Sequence, residues 1–348
     1  MQARSMATWD SMLPGPANRS NGGAADCSPA GLLAYGAGSS VVVVDPRSMQ
    51  LVSVLPMPSP SPQSSASITT LTSALALAPF VTSVRWSPQP ISRELSALDD
   101  PSNSHLRLAA GDRQGRIAIW DFRSRSIALW LEFDHSSHGD RPKLGIQDLC
   151  WVRSDSWLLA AIHGPSLLVL WSPATGRCLW KYDTAPEYLG CIRRDPFDWR
   201  HFCALGLCGF LLSAIALGED SADVSLHEHH LPGVWDSVEL PKNERHSTSG
   251  STAPALAVFP QFYARLSFSP RWRHIVMVIF PKELIVFDLQ YGTSLSSASL
   301  PRGCSKFMDL LPDPDIDLLY CIHIDGRLSI WKRKELVWLV NFISFLLL

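Results

Sequence analysis

The chain has 348 residues, 46% of them hydrophobic and 18% charged, with Lys+Arg 30 against Asp+Glu 32 and a formal net charge of −2. That supplies apolar chain for a large core. The near-neutral balance offers no global field to draw nucleic acid or an anionic membrane. Length alone suggests about two domains, but all-β architectures of this size also run as one unit.

Residues 1–30 read as a flexible leader of Ser, Gly, Ala and Pro, with no apolar h-region of a secretory signal. Short β-branched runs follow: Leu32–Gly36, Ser40–Asp45 and Leu51–Leu55, then a Pro/Ser-rich insert from Pro56. The clearest segment is 81–133. A strand Val81–Trp86 ends in Ser87-Pro88, and a long loop leads to Leu106–Asp112. The tetrapeptide Asp112-Arg113-Gln114-Gly115 is a hairpin turn with Gly where positive φ is needed. Arg116–Asp121 returns antiparallel, and Ser126–Phe133 is a fourth strand.

Four strands in this order are one propeller blade, and Ile-Ala-Ile-Trp-Asp is a WD-type strand end. Such a sheet is apolar on both faces and must be sandwiched between neighbours. The Trp fills the wedge, and the Asp accepts hydrogen bonds from the adjoining turn. The unit recurs from Ile146 to Trp180, more weakly from Cys191 to Ser213, again from Ala264 to Asp288, and last from Phe307 to Lys332. Residues 218–255, with His227-Glu228-His229-His230, read as a long polar insert. Blades take about 40–50 residues. The longer gaps Asp45–Asp121 and Ser213–Asp288 are therefore a blade plus an insert.

The expected fold is all-β: a WD40-type β-propeller with about six visible blades, an incomplete seven-bladed ring whose first blade lacks its opening strand. The expected domains are 1–30 leader, 31–332 propeller and 333–348 an apolar tail, whose residues 336–348 read LVWLVNFISFLLL, shorter than the roughly 17–25 residues that span a bilayer.

Candidate chemistry is sparse. The eight Cys include no CxxC pair and sit largely in apolar runs, as reduced buried thiols do, so no zinc site is expected. Adjacent His227, His229 and His230 cannot readily converge on one ion, and no metal or cofactor is expected. His163, His323 and His274 mark strand ends, and Asp313, Asp315 and Asp317 alternate with prolines in a loop. No GxSxG, HExxH or phosphate loop is present, so no enzyme is expected. Basic turns (Arg113/Arg116, Arg123/Arg125, Arg193/Arg194, Arg271/Arg273, Lys332–Lys334) read as solvated turns, with an acidic partner or phosphates as the functional alternative. Asp45, Trp120, Asp121, Trp171, Asp288 and Trp331 are the structural strand-end residues, with Trp86 and Trp151 also core. Trp199, Trp235 and Trp272 fall in loops and are the candidate partner-binding residues.

Gly31–Gly36 with Ser39–Asp45 resembles the opening blade of the WD repeat-containing protein 11 family. Leu106–Asp121, Leu158–His163, Leu170–Lys181, Asp195–Asp198 and Pro281–Leu289 are similar to it in the same order. The likeness spans roughly residues 30–332. It implies a longer protein with two tandem propellers and a helical region, a scaffold subunit of a complex that captures vesicles at the trans-Golgi network, and a role in Hedgehog-type signalling. The implied partners are other protein subunits of that complex. No small-molecule substrate or nucleic acid is implied, and membrane association is indirect. The implied location is cytoplasmic, peripheral at Golgi vesicles. A nuclear or signalling-associated scaffold using the basic turns is the alternative. The expectation is a truncated chain holding part of the first propeller, with residues 333–348 foreign to the family.

Overall fold

A computed structural model describes residues 15–18, 24–59, 79–88, 106–133, 144–153, 156–218, 224–231, 264–334 and 337–341. Trp235 lies outside them. Among the described residues there is no helix; 24 strands form six four-stranded antiparallel sheets. Each sheet is a meander of consecutive strands, the blade of a WD-type propeller.

Blade one comprises β1 (Ala25–Cys27), β2 (Leu33–Ala37), β3 (Ser40–Asp45) and β4 (Gln50–Pro56); blade two comprises β5 (Val81–Trp86), β6 (Arg107–Asp112), β7 (Ile117–Asp121) and β8 (Ser126–Leu131). Blade three holds β9 (Ile146–Arg153), β10 (Trp157–His163), β11 (Leu167–Ser172) and β12 (Arg177–Asp183); blade four holds β13 (Leu189–Arg194), β14 (His201–Gly206), β15 (Phe210–Ala216) and β16 (Val224–His230). Blade five is β17 (Arg265–Phe268), β18 (Ile275–Phe280), β19 (Glu283–Asp288) and β20 (Thr293–Ser299); blade six is β21 (Phe307–Pro312), β22 (Leu318–His323), β23 (Leu328–Lys334) and β24 (Val337–Asn341). The chain divides into two compact units, Met1–Ile146 and Gln147–Leu348.

Burial follows position in the blade. Second and third strands such as β10 and β11 are buried nearly throughout, whereas the fourth strands β4, β12 and β20 are largely half-buried or exposed. The larger cores join neighbouring sheets. In the first unit Ala34, Val41 and Val43 pack with Val84, Leu108, Ala118 and Trp120. In the second, Leu158, Ile162 and Leu170 pack with Phe202 and Leu212, Leu205 and Leu211 with Val278 and Phe287, and Ile279 and Leu284 with Phe307 and Trp331.

Three boundaries differ from the sequence reading. Blade one does have its opening strand: Ala25–Cys27 pairs with Leu33–Tyr35, and the Asp26 carboxylate accepts the Trp86 N–H at 2.8 Å. A short polar segment can be a strand when its neighbours complete the ladder. The histidine-rich run is strand β16 and no loop insert: Phe210↔His230 through Ala216↔Val224 are in register. Its polarity follows from being outermost. Val337–Asn341, assigned to the tail, pairs with Ile330–Lys334 and completes blade six.

Candidate interaction surface

The third-strand ends share one local geometry. Asp45 Oδ1 accepts the Arg47 N–H at 2.9 Å, Asp121 Oδ1 that of Arg123 at 2.9 Å, and Asp288 Oδ1 that of Gln290 at 2.8 Å. Ser172 takes this place in blade three, accepting the Thr175 N–H at 3.4 Å. In each of these four blades the ladder shifts register one step before the cap, at Val43/Val44, Ile119/Trp120, Leu170/Trp171 and Val286/Phe287. A bulge here tightens the strand's twist into the turn. Trp120 and Trp171 are buried beside it, and Trp331 is buried at the corresponding end of blade six.

The histidines are tied into this frame. Trp171 Nε1 donates to His163 Nε2 at 3.2 Å, so that nitrogen must stay bare; burial, with a lesser contribution from Lys181, pushes the imidazole down to about 3. In blade six the Ser305 carbonyl lies 2.7 Å from His323 Nδ1, which fixes the proton there. His323 Nε2 then accepts from Ser329 Oγ at 2.8 Å, and Ser329 accepts from Trp331 Nε1 at 3.0 Å.

Sequence reasoning missed the set Asp195, His201 and Ser213. His201 Nδ1 lies 2.8 Å from Asp195 Oδ2 and its Nε2 lies 2.8 Å from Ser213 Oγ. The order of groups is that of a hydrolase triad. All three side chains are buried, however, with the Phe268 ring edge-on to the imidazole at 5.5 Å. The set instead pins the loop between β13 and β14. Asp195 Oδ1 accepts the Phe197 N–H at 2.8 Å, and the Asp195 and His201 N–H groups are both bonded within the loop, at 2.9 and 3.0 Å.

That loop presents Trp199. Its ring lies 5.3 Å from Trp157, with Arg194 over it at 4.9 Å and Arg153 at 6.0 Å. Trp199 is thus half-buried in an Arg–Trp stack. Arg273, from the loop between β17 and β18, lies 5.7 Å over Phe197, so the loops of blades four and five meet on one rim. Arg200 pairs with Asp198 at 3.1 Å. Of the basic turns in the second unit, several are therefore engaged by aromatic rings or carboxylates.

Trp272 stands on the same rim and is 47% exposed. It borders a groove of about 290 Å³ between blades five and six. Buried Met277 and Val286 line it, and its mouth holds Trp272, Leu295 (52% exposed) and Ile316 (49% exposed). On the blade-six side the loop Asp313–Asp317 is shaped by Asp313, whose Oδ1 accepts the N–H of Asp315 at 2.9 Å and of Ile316 at 3.1 Å. These bonds, that of Asp315 foremost, hold its carboxyl below the usual range. Trp272 Nε1 donates to Asp317 Oδ1 at 3.3 Å, and Arg271 reaches the same oxygen at 3.7 Å. The structure brings Trp199 and Trp272 onto one rim. Trp157, Leu295 and Ile316, which complete their surroundings, come from strand starts, an outer strand and a proline-flanked loop, where composition gives no signal of exposure.

Residues 15–343 match the WDR11 first beta-propeller family. The chain belongs to that family. The WDR11 relatives include WD repeat-containing protein 11 of Danio rerio, 25% identical over 91% of this chain and 24% of that protein. The Homo sapiens protein of the same name is 25% identical over 93% and 25%. The chain spans about a quarter of the length of these relatives. A protein in the crystal structure of the mitotic checkpoint complex superposes with a TM-score of 0.59 at 12% identity, covering 91% of this chain and 78% of that one, a likeness of fold alone. The WDR11 first-propeller family match thus extends beyond the 31–332 interval on both sides and takes in β1 and β24. The chain is a WD-repeat propeller scaffold, a protein-interaction class.

Proposed function

We propose that this chain is the first propeller of a non-enzymatic scaffold that helps capture or tether vesicles at the trans-Golgi network. The observation that carries it is the family match across residues 15–343. A partial likeness to the Candida glabrata protein transport protein SEC31, 25% identical over 31% of this chain, is in keeping with a transport setting. The partners of this reading are protein subunits of a trafficking complex, met through the rim and groove; the membrane is reached through them. The location is cytoplasmic, peripheral at Golgi vesicles. The engagement of Arg194, Arg200, Arg271 and Arg273 by rings or carboxylates leaves less free basic surface for a nucleic-acid-binding nuclear scaffold. Affinity capture of the full-length gene product should recover Golgi trafficking subunits together with the tagged chain. Recovery of none of them removes the assignment.

A further inference from the structure

The groove between blades five and six has a definite chemical character. Its depth is apolar, from Ile275, Met277 and Val286 of blade five. Its mouth adds an exposed indole and two exposed aliphatic side chains on opposite walls, from Trp272, Leu295 and Ile316. Exposed large apolar groups cost solubility when they cluster, so a cluster at the mouth of a cleft marks a contact surface.

Among the described residues, the loop on the blade-six side of that mouth is acidic, with Arg271 within the lining and Lys332, in the next strand, paired to Leu318. Three carboxylates, Asp313, Asp315 and Asp317, ride on the loop that carries Ile316. Asp313 is held ionised by its backbone donors. Against them stands Arg271, which is spent on Asp317 Oδ1 and on the Asp315 carbonyl, 3.3 Å away. The next cation along, Arg273, is turned away over Phe197. The indole face of Trp272 adds a further site favourable to a cation.

We propose that this groove binds a short segment of a protein partner that places one apolar side chain, of leucine or phenylalanine size, between flanking lysines or arginines. The apolar residue fills the slot against Met277 and Val286 and under Trp272. The flanking cations lie against Asp313 and Asp315. Tryptophan is the residue type most often found to dominate such contacts, and the charges set orientation and approach rate more than affinity. The inference rests on reading this propeller as a protein-interaction module; it does not depend on the trafficking assignment.

The test uses the purified 348-residue chain and three fluorescent peptides in an anisotropy titration. One has a central Leu flanked by Lys, one has Gly for the Leu, and one has Glu for the Lys. The Leu–Lys peptide is expected to bind, weakening as salt rises, and the other two at least about tenfold less tightly. Trp272→Ala and, independently, the change Asp315→Lys at an exposed loop position should each weaken the Leu–Lys peptide by about tenfold or more. Tyr291→Ala, at a 73% exposed residue outside the groove, should leave it unchanged. Circular dichroism and thermal midpoints matching the parent chain certify each variant. No binding of the Leu–Lys peptide, equal binding of the Glu peptide, or undiminished binding by folded Trp272→Ala and Asp315→Lys chains overturns the proposal. Capture of trafficking subunits by the full-length product scores separately, so either reading can fail alone.

Discussion

His163 accepts a hydrogen bond from Trp171 and both side chains are buried, so protonation would set N–H against N–H. Its folded-state pKa is depressed from 6.5 to about 3. The sign follows directly. Above pH 6.5 both folded and unfolded chains carry a neutral ring, and the contribution to stability is complete. As pH falls below that value the unfolded chain takes up a proton that the folded chain refuses, and stability drops until about pH 3. One such proton changes stability by at most about 1.4 kcal/mol per pH unit. A glutamine accepts from the indole but does not titrate. His163→Gln should therefore flatten the dependence of urea-unfolding stability on pH between 6.5 and 4; an unchanged slope would show that another group carries it. A second residue-scale device is Asp148. It accepts the backbone N–H of Ile192 at 3.2 Å and the Arg193 guanidinium at 2.6 Å, linking the first strands of blades three and four. Burial and hydrogen bonding of this kind fix geometry more than they add stability.

At the scale of the element, the turn between β6 and β7 shows how tightly a hairpin can be specified. Gly115 has φ +83°, and a Cβ there would come within 2.5 Å of the Leu144 carbonyl oxygen. Gly303 has the same φ of +83°, with no atom within 4 Å of such a Cβ. Gly303→Ala should cost only the backbone penalty, about 1–2 kcal/mol, and Gly115→Ala visibly more, by about 1–2 kcal/mol from the displaced carbonyl. Denaturant midpoints of the two variants measure the difference, and equal losses would mean the Leu144 segment yields freely. Gly115 was legible in advance, because Asp-x-x-Gly between apolar runs is a turn with a mechanism. So were the second and third strands, whose buried positions demand apolar residues whatever their neighbours do. The fourth strands were legible only in part: Leu51–Leu55 and Ser126–Phe133 read as strands, β16 and β24 did not. β16 reads VSLHEHH because an outermost strand has one unpaired edge and both faces half in water, so no alternation is imposed on it. β24 follows a charged run of sequence, Lys332–Glu335, which reads as an end, while Val337–Asn341 pairs with β23 and continues the ladder. The rim was half legible. Tryptophans in loops announce a surface, but Trp199 is stacked against Trp157 and Trp272 is open, and that difference lies in long-range contacts.

At the scale of the whole molecule, the larger cores among the described residues of the second unit join adjacent blades, so stability there should behave as a sum of neighbour terms. Ile162 belongs to the wall between blades three and four and Ile279 to that between five and six. Ile162→Val and Ile279→Val should each cost about 0.5–1.5 kcal/mol. The double variant should equal their sum to within about 0.5 kcal/mol. A larger coupling in calorimetry would mean that strain passes through blade four. What repeats before the third-strand cap in blades one, two, three and five is an offset. The residue on it is Val44 in one blade, Trp120, Trp171 or Phe287 in others, and the cap is Asp in three and Ser in the fourth. These four blades thus share a phase along the backbone and not a lettering: one step out of register sets which way the last residue before each cap turns, whichever side chain stands there.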